Sequence, residues 1–224
     1  MRTNPDVPVI SVLLVDDQLL VRAGFRLVID SQPDLTVVGE VGDGVAAVAE
    51  AERVRPDLVL MDVRMPIMDG IEATRRITAL VEPPKVVVLT TYDLDENALA
   101  AIRAGASGFL LKDGAPEDML AALRTVHAGD AVIAPSTTRR LLDMLAPGSD
   151  PAAVRAVESL TERERDVLVA MARGFSNAEI AERLLVSTGT VKTHVGRILH
   201  KLAARDRVQA VVCAYESGLI RPGR

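Results

Sequence analysis

Five short apolar runs punctuate the first half of the chain: Val9–Val15, Leu35–Val41, Leu58–Met61, Val86–Leu89 and Gly108–Leu111. Each is β-branched or leucine-rich, too short for a helix and without strict alternation. Strands buried on both faces of a parallel sheet read this way. Helix-period stretches lie between and after them, at Leu19–Ile29, Val45–Val54, Gly70–Leu80, Asn97–Arg103 and Pro116–His127. Asp93 with Glu96 three residues on predicts a capping-box start for the fourth helix. The alternation predicts an α/β fold, a doubly wound five-stranded parallel sheet.

The second half has no strand pattern. Ser136–Ala146 is amphipathic, and Pro147-Gly148-Ser149-Asp150-Pro151 breaks it as a linker. Beyond Glu158, Thr161 with Glu164, Ser176 with Glu179, and Asp206 with Gln209 each open a helix. Ser187 opens another, but Thr190 stands where an acidic partner would be, so this helix keeps a positive end for phosphate. The result is a small all-α domain of four helices. On the Ser187 helix, Val191, Val195, Ile198 and Leu202 fall on one inward face. The opposite face carries Gly189, Thr193, Gly196, Arg197 and His200, flanked by Thr190 and Lys192. It holds no carboxylate and its centre is small, the shape that a helix in a DNA major groove needs. Asn177–Leu184 would be the first helix of the pair.

Chemistry gathers at the strand ends. All strands of such a sheet end at one edge, where ligands bind. Asp16-Asp17 ends the first strand, Asp62 the third, Thr90 the fourth, and Lys112 the fifth. Three carboxylates at close quarters repel unless a cation intervenes. Mg²⁺ suits a shallow oxygen-only site. Carboxylates, Mg²⁺, a hydroxyl and a lysine together describe a phosphoryl-accepting site, with one Asp as nucleophile.

Composition sharpens this picture. The 224 residues are 49% hydrophobic and 25% charged, a globular balance. The net charge of -5 speaks against nucleic acid, but it hides a split. Residues 1–130 carry 21 acidic and 12 basic residues, a net of -9, whereas residues 131–224 carry 10 and 14, a net of +4. No apolar run approaches the ~20 residues that span a membrane. The first residues do not read as a signal peptide. One cysteine, Cys213, excludes an intrachain disulfide or a Cys-based zinc site, and a cytoplasmic location is expected. His194, His200 and Cys213 make no metal-ligand pattern. With no Trp, three Phe and two Tyr, base stacking has little to work with. There are 22 arginines and 4 lysines, so each lysine carries information.

Residues 9–130 resemble the receiver domain of two-component response regulators, a flavodoxin-like fold. The resemblance rests on Val15-Asp16-Asp17, Leu60-Met61-Asp62, Met65-Pro66-Ile67-Met68-Asp69-Gly70, Leu89-Thr90-Thr91 and Gly108-Phe109-Leu110-Leu111-Lys112. It implies that Asp62 is phosphorylated by a sensor histidine kinase. Asp16, Asp17, Asp62 and the backbone carbonyl of Arg64 would hold Mg²⁺. Thr90 and Phe109 would be the switch pair, with Phe109 turning inward as the hydroxyl moves, and Lys112 would bind phosphate. Asp113 follows Lys112 where many receivers have proline, so a trans bond or a small strained loop is expected there.

Residues 159–219 resemble the LuxR-type helix-turn-helix of NarL/FixJ-type regulators. The matching run is Leu160-Thr161-Glu162-Arg163-Glu164, Ala178-Glu179-Ile180-Ala181, Leu185-Val186-Ser187 and Thr190-Val191-Lys192-Thr193-His194-Val195. Lys192 and Thr193 match base-facing positions, and Thr188 and Thr190 match positions near phosphate. Ser187 and Arg197 complete the expected DNA-binding set. Gly196 departs from relatives that carry lysine there. The whole implies a transcriptional regulator, not an enzyme, with a receiver at 9–130, a linker with a short helix at 131–157 and a DNA-binding domain at 158–224. It would bind double-stranded promoter DNA, form a homodimer on activation and have no membrane partner. Val208, Val211, Val212 and Tyr215 on the last helix are either a dimer surface or core.

Two other readings compete. The receiver could serve only as a dimerisation scaffold for a phosphorylation-independent DNA binder. Alternatively, Gly42-Asp43-Gly44-Val45-Ala46-Ala47 fits G-x-G-x-x-A, with Asp62 twenty residues past Gly42, which would make the domain a dinucleotide sensor. The plain reading of those glycines is a tight turn into the second helix.

Overall fold

A computed structural model describes residues 9–90, 94–129, 132–133 and 150–220. The expected Asp93 cap, the 136–146 helix and Pro147-Gly148-Ser149 lie outside these residues. The chain divides into two packed units, Met1–Val132 and Ile133–Arg224.

The first unit alternates β1 (Ile10–Val15), α1 (Leu19–Asp30), β2 (Leu35–Val41), α2 (Gly44–Val54), β3 (Leu58–Asp62), α3 (Gly70–Thr78), β4 (Lys85–Thr90), α4 (Leu94–Arg103), β5 (Gly108–Leu111) and α5 (Pro116–His127). The first five strands pair in parallel, in the order β2-β1-β3-β4-β5. A two-residue strand that the sequence pattern did not indicate, β6 (Val132–Ile133), extends the sheet beyond β5. Helix α4 begins at Leu94, where the Asp93 capping pattern puts its start and three residues before the periodic stretch at Asn97. Both sheet faces are covered, which is why the strands do not alternate. Val12, Leu14, Leu58, Leu60, Val87 and Leu89 share one core with Ile29 of α1 and Leu123 and Val126 of α5. The alternate residues Leu13, Val59, Met61 and Val88 are equally buried, as are Ala47, Ala51 and Ala73 on α2 and α3.

The second unit contains α6 (Pro151–Glu158), α7 (Glu162–Ala172), α8 (Asn177–Leu184), α9 (Thr188–Lys201) and α10 (Arg207–Glu216). The four expected helices are α7 to α10. Thr161 and Ser176 each form a full reciprocal capping box, and Asp206 accepts from Gln209 N at 3.0 Å. Helix α6 is additional. Pro151 does not break it; it occupies the first turn, where no backbone N–H is needed. Asp150 caps it by accepting from Ala152 N at 2.8 Å. Ala153 and Val157 are buried and α6 packs on α10. The last-helix residues Val208, Val211, Val212 and Tyr215 are buried in this unit, with Tyr215 OH donating to Ala172 O at 3.2 Å. They are core, and that decides the alternative left open above.

Candidate functional site

Strand β1 sits between β2 and β3, so the winding reverses between β1 and β3. The carboxyl ends of these strands border the crevice where such sheets bind ligands. The register pairs Val15 with Met61, so Asp16 and Asp62 follow side by side. Thr90 pairs with Leu111, and Lys112 N donates to Thr90 O at 2.8 Å. Four strand ends therefore bring Asp16, Asp62, Thr90 and Lys112 to one edge.

Asp16 is 2% exposed and Asp62 5%, while Asp17 beside them is exposed. Lys112 Nζ bridges the two buried carboxylates, 2.6 Å from Asp16 Oδ2 and 2.8 Å from Asp62 Oδ2. Burial raises the Asp62 pKa, and Lys112 offsets this only in part. Burial also works against the Lys112 ammonium, but its bonds to Asp16 and Asp62 overcome this and raise its pKa. One carboxylate oxygen from each of Asp16, Asp17 and Asp62 lies within 4.8 Å of the others. Three carboxylates against one ammonium leave a local charge of -2. Asp16 Oδ2 is buried without a well-aligned hydrogen bond, Lys112 Nζ being its close neighbour. The donor set is all oxygen, with one exposed member. These features fit a small divalent cation such as Mg²⁺.

Arg64 lies on the loop after β3, where its N donates to Asp62 Oδ1 at 3.4 Å. With Asp17, Val63, Met65, Pro66, Asp69 and Ile71 it lines an open cleft of ≈ 530 Å³ next to the acidic edge. Phe109 on β5 is 1% exposed, its ring already inside the core. No peptide bond among the described residues is cis, so Lys112-Asp113 is trans.

Two glycines build the loop after β3, and only their role as turn or helix-start residues was legible beforehand. A Cβ on Gly70 would lie 1.8 Å from Asp62 O, and Gly70 N donates to Val63 O at 2.8 Å. A Cβ on Gly44 would lie 2.6 Å from Met68 O, to which Gly44 N donates at 3.1 Å. The sequence signal was an invitation to glycine; the close approach needs the third dimension. The same geometry disposes of the dinucleotide motif. Gly44 faces Met68, and the Asp43 carboxylate already caps α2 by accepting from Val45 N and Ala46 N, each at 2.9 Å. A pyrophosphate would meet an occupied, negatively charged helix start.

In the second unit, Val191 and Ile198 are buried and Val195 and Leu202 half-buried, the inward face expected of α9. Ser187, Thr188, Gly189, Thr190, Lys192, Thr193, Gly196, Arg197 and His200 are all exposed. Ser187 Oγ accepts from Thr190 N at 3.0 Å, so one first-turn N–H is used, and the first turn contains no acidic residue. Thr193 Oγ1 donates back to Gly189 O at 3.0 Å, leaving its lone pairs and methyl outward. The four lysines separate by role. Lys85 donates to the carbonyls of Val126 and His127, Lys112 joins the acidic edge, and Lys201 binds Glu164. Lys192 is exposed on the outer face of α9.

Comparison with known proteins agrees with both halves. Residues 12–124 match the family model of the response regulator receiver domain, and residues 158–214 that of the luxR family of bacterial regulatory proteins. The transcriptional regulatory protein YxjL of Bacillus subtilis (strain 168) is 46% identical over 213 residues, covering 95% of this chain and 98% of that protein. The crystal structure of the response regulator ChrA, from a heme-sensing two-component system, is 35% identical with a TM-score of 0.52, covering 95% of this chain and 99% of that one. A structure of two RcsB dimers bound to two parallel DNAs is 25% identical with a TM-score of 0.55, covering 95% of this chain and 100% of that one. No helix among the described residues is long and apolar enough to cross a membrane. With both family models matched and in this order, the chain belongs to the response regulators that join a receiver domain to a LuxR-type DNA-binding domain, and it is a transcriptional regulator, not an enzyme.

Proposed function

We propose that Asp62 accepts a phosphoryl group from a sensor histidine kinase and that this modification controls DNA binding. The observation that carries the reading is the Lys112 bridge between Asp16 Oδ2 and Asp62 Oδ2, with Thr90 at the same edge. An Asp62 carboxylate oxygen attacks phosphorus, forming a P–O bond as the P–N bond to the kinase imidazole breaks; the imidazole leaves with its proton. Lys112 then exchanges a carboxylate partner for a phosphoryl oxygen, and the Thr90 hydroxyl donates to another. Asp16, Asp17, Asp62 and the Arg64 carbonyl would hold Mg²⁺, which supplies positive charge to the phosphoryl oxygens when bound. Thr90 and Phe109 form the switch pair: the Thr90 hydroxyl moves toward the phosphoryl group, beside a Phe109 ring that is already inward.

Receiver function is assigned to residues 9–130 and DNA binding to 158–224, joined by 131–157. Helix α9 enters the major groove of promoter DNA. Lys192 and Thr193 face bases, while Ser187, Thr188, Thr190 and Arg197 serve the backbone. Phosphorylation favours a homodimer on paired half-sites, an arrangement supported by the RcsB dimers on DNA. The protein works in the cytoplasm, where kinase output and promoter meet. The test is labelling by a small-molecule phosphodonor with Mg²⁺. Wild type should form a hydroxylamine-labile acyl phosphate and Asp62→Asn should not; equal labelling of both overturns the assignment.

A further inference from the structure

Arg22 sits on α1, carries none of the roles above, and is largely buried. Its Nη1 donates to the main-chain oxygen of Asp16. Its Nε is buried without a hydrogen bond, 3.9 Å from Glu40 Oε2 on β2. Glu40 also pairs with Arg26 one turn further along α1. Gly42 lies against this arrangement, where a Cβ would make only ordinary contact with Arg22 Nη1 at 3.4 Å and Asp16 O at 3.8 Å. The peptide between Asp16 and Asp17 is thereby gripped from one side by a guanidinium. Around it, Asp16 N donates to Val41 O at 3.2 Å, and Gln18 N donates to Asp16 Oδ1 at 2.9 Å.

We propose that Arg22, held by Glu40, is the positioning residue for the acidic pair: it fixes the Asp16–Asp17 peptide so that both carboxylates face the cation site together. The inference rests on the Mg²⁺ reading of that site. Asp17 is the exposed member, and among the described residues no hydrogen bond or ion pair orients its side chain. Its direction therefore follows its backbone, and Arg22 holds the carbonyl of the peptide that joins it to Asp16. Groups that orient metal ligands from behind typically change affinity by 10–100-fold when removed. Charge acts in the opposite sense. Deleting a cation near three carboxylates should tighten Mg²⁺ binding, so a weakening cannot come from electrostatics alone.

The experiment is calorimetric titration of the full-length protein with Mg²⁺, comparing wild type, Arg22→Gln, Arg22→Lys and Glu40→Gln, with circular dichroism melts alongside. The expected result is a roughly tenfold weaker Kd in Arg22→Gln, a smaller weakening in Glu40→Gln, and partial recovery in Arg22→Lys. In acyl phosphate formation, saturating Mg²⁺ should restore the rate of Arg22→Gln to near wild type, because Asp62, Thr90 and Lys112 are untouched. Unchanged or tighter Mg²⁺ binding in folded Arg22→Gln overturns the proposal, as does a lowered rate that Mg²⁺ does not restore. If Arg22→Gln fails to fold, Glu40→Gln, which keeps the guanidinium, decides by the same two criteria. A wild type that binds Mg²⁺ but takes no phosphoryl group overturns the function proposed above and leaves the role of Arg22 intact.

Discussion

Lys201 Nζ lies 2.6 Å from Glu164 Oε2, tying the last turn of α9 to the first turn of α7. Glu164 is almost fully buried and also accepts from Thr161 N at 2.9 Å as its half of the capping box. The far end of α9 is thus anchored through a helix cap.

This pairing makes the second unit acid-sensitive. The bond from Lys201, followed by that from Thr161 N, lowers the Glu164 pKa from 4.5 to about 2. A depressed carboxylate pKa adds stability that is full above the unfolded value and is lost as pH falls from about 4.5 towards 2. Glu164→Gln should therefore destabilise this unit by about 2 kcal/mol at pH 7, with the deficit closing by pH 2. Denaturant melts of wild type and variant at several pH values check the sign; a deficit that persists unchanged at pH 2 contradicts it.

Gly70→Ala should damage the receiver more than any helix-propensity scale suggests. Propensity favours alanine by about 1 kcal/mol, but the added carbon would fall 1.8 Å from Asp62 O. Strand β3 or the start of α3 must move. We expect a loss of about 3 kcal/mol in the receiver and a fall in acyl phosphate formation, read by thermal melts and phosphodonor labelling.

Leu185 ends α8 at φ 53°, a left-handed conformation that leucine disfavours, and its side chain is 92% exposed. Leu185→Asn relieves roughly 0.5–1 kcal/mol of backbone strain while removing almost no buried surface. The second unit should melt a few degrees higher. A lower midpoint would show that the leucine makes contacts its exposure does not suggest.

Lys192→Ala and Arg197→Ala separate reading from holding. Lys192→Ala should weaken operator binding more than non-specific binding, by roughly 1–3 kcal/mol. Arg197→Ala should weaken both alike and flatten the salt dependence by about one unit of slope. Fluorescence anisotropy at several salt concentrations distinguishes them; full operator affinity in both variants removes α9 from the groove.

Much of the acidic edge was legible in the sequence because strand ends are punctuated by polar residues. Asp16, Asp62, Thr90 and Lys112 each close an apolar run, and parallel pairing does the rest. The division of α9 into a buried and an exposed face was legible because a helix wheel needs only spacing. What sequence could not show depends on approach between distant segments. Gly70 reads as a helix start until Asp62 O is placed against it, and Arg22 reads as one arginine among 22. Helix α6 was hidden because proline both breaks helices and begins them; the Asp150 cap before Pro151 was the available signal. The valines of α10 were ambiguous because a wide apolar surface suits either a partner or a core, and α6 and α7 supply the core.

The roles of the four lysines carry a practical consequence for labelling chemistry. Three ε-amines have partners inside the fold, in helix-end carbonyls or carboxylates. Lys192 is exposed on the outer face of α9. Among the lysines, an amine-directed dye used sparingly should therefore mark chiefly Lys192, on the helix proposed to read DNA. The same reagent then serves as a footprint, since a bound operator shields the amine it seeks.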